Sequence, residues 1–255
     1  MTTLLDHPLG LFAASLVVLG LAAWLGAFRL DRIRGQVAAT QGPFAVVQGA
    51  SLTLLGLIIG FAFSMAVGRY DQRKNFEEEE ANAIGTEYVR ADFLPAADAA
   101  KVRALLLQYL EQRMLFYTDR DAVELERVGA ATARLQAQLW DAVKAPAAAQ
   151  PTPVTALVVS GMNDVLNTQG YTQAAWWNRI PTAAWMLMGL IAIFATLQVS
   201  VGVREVRAAS VVLMILPVVV SVAFFLIADI DSPRGGTIRV QPHNLMSLQQ
   251  SLHRP

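Results

Sequence analysis

The 255-residue sequence predicts an all-α membrane protein with four transmembrane helices and a helical extramembrane bundle inserted between the second and third spans. Three observations carry that expectation. Hydrophobic residues make up 55% of the chain and charged residues 16%, against about 45–50% and 25% in soluble domains. Four runs contain no Asp, Glu, Lys or Arg: Pro8 to Phe28, Gln41 to Gly68, Ile180 to Val203 and Ala208 to Ala228. Each reaches the roughly 20 residues a helix needs to cross a hydrocarbon core. No strand-like alternation of useful length occurs in the polar sequence between them. The expected organisation is 1–69 for the first two spans, 70–178 for a helical domain on the cytoplasmic side, 179–229 for the last two spans and 230–255 for a C-terminal tail.

The first run is expected to be retained as a helix. Its "AAWLGA" offers small residues, but Asp6 and His7 precede a run of full spanning length where a secretory signal needs a basic segment and a shorter apolar core. Trp24, Trp176, Trp177 and Trp185 fall at or near run ends, where amphipathic rings favour the membrane interface.

The second run poses the main question of the sequence. In "GLIIGFAFSMAVGRYDQRKNFEEEEANAIG", residues 56–85, an apolar stretch becomes strongly charged at Arg69 without an intervening proline. From Phe44 to Val89 only glycines interrupt good helix formers, so one continuous rod is expected, roughly 65 Å long at 1.5 Å per residue. Arg69 marks where it leaves lipid. Gly49, Thr53, Gly56, Gly60 and Ser64 give this rod a small-residue face of the kind that ordinarily serves close helix packing. The acidic run Glu77 to Glu80 reads as a solvated face, with Lys74–Glu78 and Glu87–Arg90 as candidate ion pairs. A calcium site there needs carboxylates from elsewhere, such as Asp229 and Asp231, because successive helix positions point in different directions.

In the middle segment, Val102, Leu106, Tyr109, Leu110, Arg113 and Tyr117 recur at spacings of three and four and define one packing face. Val128, Ala131, Leu135, Leu139 and Val143 define a second. "APAAAQPTP" is expected to break the pattern at Pro146, Pro151 and Pro153, and a third helix is expected from Val154 to about Thr172. Pro181 suits the first turn of the third span, and Pro217 is expected to kink the fourth.

Charge and motif content exclude several functions. With 20 basic and 20 acidic residues there is no basic field for nucleic acid. The chain has no cysteine, which removes thiol catalysis and thiolate metal sites. His7, His243 and His253 have no ligand spacing, and "PRGGTIRV" lacks a phosphate-loop order. No enzyme, metal site or cofactor is indicated. The strongest polar groups within the spans are Gln48 and Gln198, whereas ion-coupled pumps ordinarily need intramembrane carboxylates. For orientation, Arg29, Arg32, Arg34, Arg204 and Arg207 nearly balance Arg69, Arg73, Lys74, Arg179, Arg234 and Arg239, with a slight preference for both termini and the middle segment inside.

The segment "LGLIIGFAFSMAVGRYDQRKNFEEEEANAIGTEYVRADFLP", together with "FLIADIDSPRGGTIRV" after the fourth span, resembles the signature of a bacterial family of four-span proteins known as bestrophin-like. More distantly, "IGFAFSMAVGRY" resembles the pore helix of the bestrophin anion channels. The resemblance implies a multi-pass protein of the bacterial inner (plasma) membrane, a homo-pentamer around a central pore, and chloride or another small anion as the permeant species. Aligned on Gly60, Phe61 and Arg69, the apolar neck falls at Thr53, Leu57 and Phe61, four apart and on one helical face. Arg69 then lies at the pore mouth, where its charge raises local anion concentration. Thr53 and Leu57 stand where true bestrophins carry bulkier apolar residues, and Tyr70 and Asp71 stand in place of paired tryptophans. The alternative is a non-conducting membrane scaffold or sensor whose helical domain binds a protein or small ligand.

Overall fold

The structure, a computed structural model, describes residues 4–30, 33, 35–37, 40–203 and 210–253. Arg32, Arg34, Arg204 and Arg207, which enter the orientation count, and the expected start of the fourth span at Ala208 lie outside the described residues. Within them the regular structure is helical: α1 (Pro8–Phe28), α2 (Gln41–Arg90), α3 (Ala96–Thr118), α4 (Ala122–Ala149), α5 (Pro153–Trp177), α6 (Thr182–Gly202), α7 (Ser210–Asp231) and α8 (His243–Leu252). Short 3₁₀ turns occupy Leu4–Asp6 and Ala91–Phe93. Four of the helices contain stretches long and apolar enough to cross a membrane: α1, α2, the segment ending in α6, and α7. The second of these runs unbroken for 50 residues through the change of composition at Arg69.

The chain divides into two compact units, Met1–Tyr70 with Arg179–Arg239 and Asp71–Asn178 with Val240–Pro255. In the first, α1 packs against α6 and α7. Its core contains Leu19 of α1, Leu55, Ala62 and Ala66 of α2, Met188, Ala192 and Ala195 of α6, and Val220, Phe224 and Ile227 of α7. Small residues set the spacing: a Cβ on Gly26 would lie 2.8 Å from Ser200 Cβ and 3.0 Å from the Leu197 carbonyl oxygen. This is close packing of the kind small-residue faces provide.

The second unit packs α3 against α4 and α4 against α5. Asp121 caps α4 by accepting from the Val123 and Glu124 N–H groups at 2.9 and 3.0 Å. Thr152 and Thr155 form a reciprocal cap at the start of α5. Residues 240–255, read from sequence as part of a tail, group with this bundle, and Leu245 of α8 is fully buried.

Three local expectations need correction. Helix α4 continues through Pro146, which is buried within its last turn. The proline costs the helix the one N–H bond to the fourth residue before it, while its own carbonyl still accepts from the Gln150 N–H at 3.0 Å. Helix α5 extends to Trp177, beyond the expected Thr172. Two of the tryptophans assigned to an interface are packed inside instead: Trp176 against Phe116 and Tyr117 in the bundle, Trp185 edge-on to Phe224 in the apolar unit. Large rings bury favourably wherever a neighbouring helix supplies partners.

Candidate functional site

In the apolar unit the neck candidates lie on one outward side of α2. Leu57 is 52% exposed and Phe61 63% exposed. Thr53 is exposed as well, and its hydroxyl donates to the Gly49 carbonyl of its own helix at 2.9 Å. With its hydroxyl proton used within the helix, Thr53 needs no acceptor from outside, and Leu57 and Phe61 offer apolar surface. The glycines of the small-residue face beside them are open: among the described residues outside their own stretch of helix, none comes within 4 Å of the Cβ positions of Gly49, Gly56 and Gly60. Among the described residues, the glycines of that face therefore have no close packing partner within one chain.

Arg69 is half-buried and belongs to a charged cluster. Its Nη1 lies 3.8 Å from Asp231 Oδ1 at the end of α7. Both Asp231 oxygens accept from the Ile180 N–H at 3.2 Å, and Arg179 Nε lies 3.4 Å from Oδ2. Arg179 also pairs with Asp6 and donates to the Leu5 carbonyl. One buried carboxylate thus joins the second, third and fourth spans, and Arg179 extends the cluster to the segment before the first.

The segment "ADIDSPRGGTIRV" closes over the same end of α7. Asp229 accepts from Thr237 N–H at 2.7 Å, from the Thr237 hydroxyl at 2.8 Å and from Ile238 N–H at 2.9 Å. Asp229 and Asp231 are therefore both occupied as hydrogen-bond acceptors. The glycines are set by close approach, since no described residue has a positive φ. A Cβ on Gly235 would strike the Asp6 carbonyl, and one on Gly236 the Asp229 carbonyl. Gly236→Ala is expected to cost about 1–3 kcal/mol, because backbone cannot give way as a flexible side chain can. Thermal unfolding of purified protein checks this, with little change expected for the open position Gly49→Ala under conditions that keep single chains apart.

The acidic stretch of α2 departs most from its sequence reading. Glu78 and Glu79 are exposed, but Glu77, Glu80 and Glu87 are buried. Burying a carboxylate requires partners. Glu77 has them at the start of α8, accepting from the Asn244 and Leu245 N–H groups at 2.9 and 3.0 Å and from the Asn244 side chain at 2.6 Å. Such a carboxylate suits a helix N-terminus. Glu80 pairs with Arg113 Nε at 2.5 Å and accepts from the Tyr117 hydroxyl at 3.3 Å. Burial, reinforced by the Glu80 charge, pushes the Tyr109 and Tyr117 hydroxyls above the ordinary tyrosine range.

Glu87 differs. It is fully buried and, among the described residues, neither carboxylate oxygen has a hydrogen-bond partner, so the ion pair with Arg90 expected from sequence does not form as a hydrogen-bonded contact. Desolvation is the main cause that raises its pKa from 4.5 to about 8, with Asp164 adding to the rise and Arg90 opposing it. The folded chain consequently holds a proton that the unfolded chain releases. Stability from this group is complete below pH 4.5 and is lost as pH rises through about 8. The unfolding temperature of the native chain is expected to fall between about pH 5 and 8.5 more steeply than that of Glu87→Gln, which removes this titration.

Beside Glu87 the bundle unit holds an open polar cavity of about 470 Å³ between α2 and α5. Among the described residues no group of three or more His, Cys, Asp or Glu is placed to hold a metal ion.

Four apolar helices of spanning length in an otherwise helical chain define an all-α, four-span membrane protein. The chain belongs to the Bestrophin-like family, whose domain profile matches residues 12–245. Its fold is similar to that of a bacterial bestrophin homologue from Klebsiella pneumoniae. One crystal structure of that protein, carrying a mutation, superposes with a TM-score of 0.63 at 15% identity over 94% of this chain and 97% of the other. A second, solved by Zn-SAD phasing, gives 0.61 at 16% identity over 95% and 99%. No curated protein matches the chain.

Proposed function

We propose that this protein assembles in the bacterial inner membrane as a ring of identical chains, a pentamer, in which α2 of each copy faces a central pathway for chloride or another small anion. The supporting observation is the open side of α2. A spanning helix presents glycines with no described residue outside their own stretch of helix against them, next to the exposed Thr53, Leu57 and Phe61. Neighbouring copies would close on the small residues, and the apolar positions would line a constriction that passes ions when wetted. Arg69 serves mainly to tie the spans together through Asp231, and its contribution at the mouth is a local positive potential. The bundle of residues 70–178 lies on the cytoplasmic side in this reading.

Purified protein in liposomes is expected to pass chloride above the level of empty vesicles. Phe61→Ala is expected to raise the flux several-fold by widening the constriction and easing its wetting. Absence of flux from both proteins would remove the conducting role. A second reading, a non-conducting sensor whose bundle binds a ligand, is favoured by the polar cavity and the buried Glu87. A periplasm-only reporter fused at Gln150 separates the two topologies: activity there would place the bundle outside and contradict the channel arrangement.

A further inference from the structure

Arg90, at the end of α2, is a half-buried cation to which no hydrogen-bond acceptor among the described residues is bound. Glu87 feels its charge, yet neither Glu87 oxygen is hydrogen-bonded to it. A guanidinium that has given up part of its water calls for an acceptor. Two cavities of the bundle unit reach it, and Asn82, Thr86 and Arg90 border both. The cavity between α2 and α5 also carries the carboxylates of Glu79 and Asp164. The other, of about 670 Å³ between α2 and α8, has no carboxylate among the described residues that line it. There the Asn82 amide and the hydroxyls of Thr86 and Ser247 accompany Arg90, and Val89, Leu248 and Leu252 supply apolar wall.

Packing holds this second cavity open. Glu77 fixes the start of α8, and Leu245 behind it is fully buried. Further along, Leu248 sits so close to Gly85 that a Cβ there would lie 2.9 Å from Leu248 Cδ1. The walls are therefore set before any ligand arrives.

We propose that the cavity between α2 and α8 binds a small organic monocarboxylate, with its carboxylate on Arg90 and its short apolar chain against Val89, Leu248 and Leu252. An arginine fork matches the two oxygens of a carboxylate in a parallel pair of hydrogen bonds. Glu79 and Asp164 turn an anion away from the first cavity and leave the second as its place. They also disfavour a dianion such as phosphate, which would meet only one guanidinium. An inorganic anion would leave the apolar wall unused, whereas the volume suits a small organic molecule, for which pockets of about 300–1,000 Å³ are usual. A ligand in this position bridges α2 and α8. The inference rests on the second reading above, a bundle that binds a ligand, and not on conduction: a failed chloride flux leaves it untouched, and a failed titration leaves the channel reading untouched.

The test is calorimetric titration of the full-length protein with butyrate in chloride-free buffer at neutral pH. Expected is saturable binding of one butyrate per chain. Acetate, two methylene groups shorter, is expected to bind about tenfold more weakly, since each buried methylene is worth about fourfold in affinity. Butyramide, similar in shape but uncharged, is expected to lose at least tenfold, and Arg90→Gln should lower butyrate affinity by at least as much. Butyrate should also slow amide hydrogen exchange in residues 247–252 of the native protein but not of Arg90→Gln. Absence of saturable binding, equal affinity for acetate or butyramide, unchanged affinity in Arg90→Gln, or binding that leaves exchange in α8 unaltered would each overturn the proposal. Should Arg90→Gln not fold, Ser247→Trp fills the cavity from an exposed position and should abolish binding, and retained binding in that variant would overturn the proposal equally.

Discussion

Glu80→Ala is expected to destabilise the bundle by about 3–5 kcal/mol, because it strands a buried guanidinium. Arg113 is 1% exposed and its Nε lies 2.5 Å from Glu80. The Phe116 ring, 4.5 Å from the guanidinium carbon, supplies too little to compensate a desolvated charge. The same mutation removes an acceptor of the Tyr117 hydroxyl. For a domain of this size the unfolding temperature should drop by roughly 10–20 °C. Trp176, packed on Phe116 and Tyr117, offers a fluorescence signal at the site itself. Replacing both partners by leucine should recover much of the loss, since a well-packed apolar pair often matches a buried ion pair. If the double variant were as unstable as Glu80→Ala, the stranded charge would not be the cause.

Asp231→Ala is expected to cost about 3 kcal/mol in the apolar unit. It leaves the Ile180 N–H without its acceptor and removes the carboxylate between Arg69 and Arg179. The loss is smaller than at Glu80 because both arginines keep partial access to water, with side chains 18% and 24% exposed. Asp231→Asn retains an oxygen for the amide but not the charge, so its unfolding temperature should fall between the native chain and Asp231→Ala. An asparagine variant indistinguishable from the native protein would show that the two arginines do not depend on the charge of Asp231.

The spans were legible in the sequence because hydropathy is a property of a segment alone, requiring no knowledge of its neighbours. So was the continuity of α2 across Arg69, since nothing between Phe44 and Val89 breaks a helix. The acidic stretch was misread because four successive glutamates look like one solvated patch. On a helix they separate: Arg73, Glu77, Glu80, Ile84 and Glu87 follow alternating steps of four and three and are all buried. The matching signal was Arg113, which stands among Val102, Leu106, Tyr109 and Leu110 on the packing face of α3. A charged residue in such a row calls for a buried partner, and Glu80 is that partner. The tail was harder to read, because α8 is short and its docking depends on Glu77, far away in sequence. The role proposed for Thr53, Leu57 and Phe61 needs other copies of the chain, which no single-chain pattern encodes.

The absence of native cysteine makes the arrangement of α2 directly measurable. With Phe61→Cys as the sole thiol, mild oxidation of the membrane-embedded protein should yield disulfide-linked pairs of chains, because a neck around a shared axis brings equivalent residues within disulfide reach, about 4.4–6.8 Å between Cα atoms. Cysteines at Leu57 and Thr53 should behave alike. Chains that stay unlinked at all three positions, while the thiols react only with lipid-soluble reagents, would mean that this face of α2 meets lipid and that no pore forms along it.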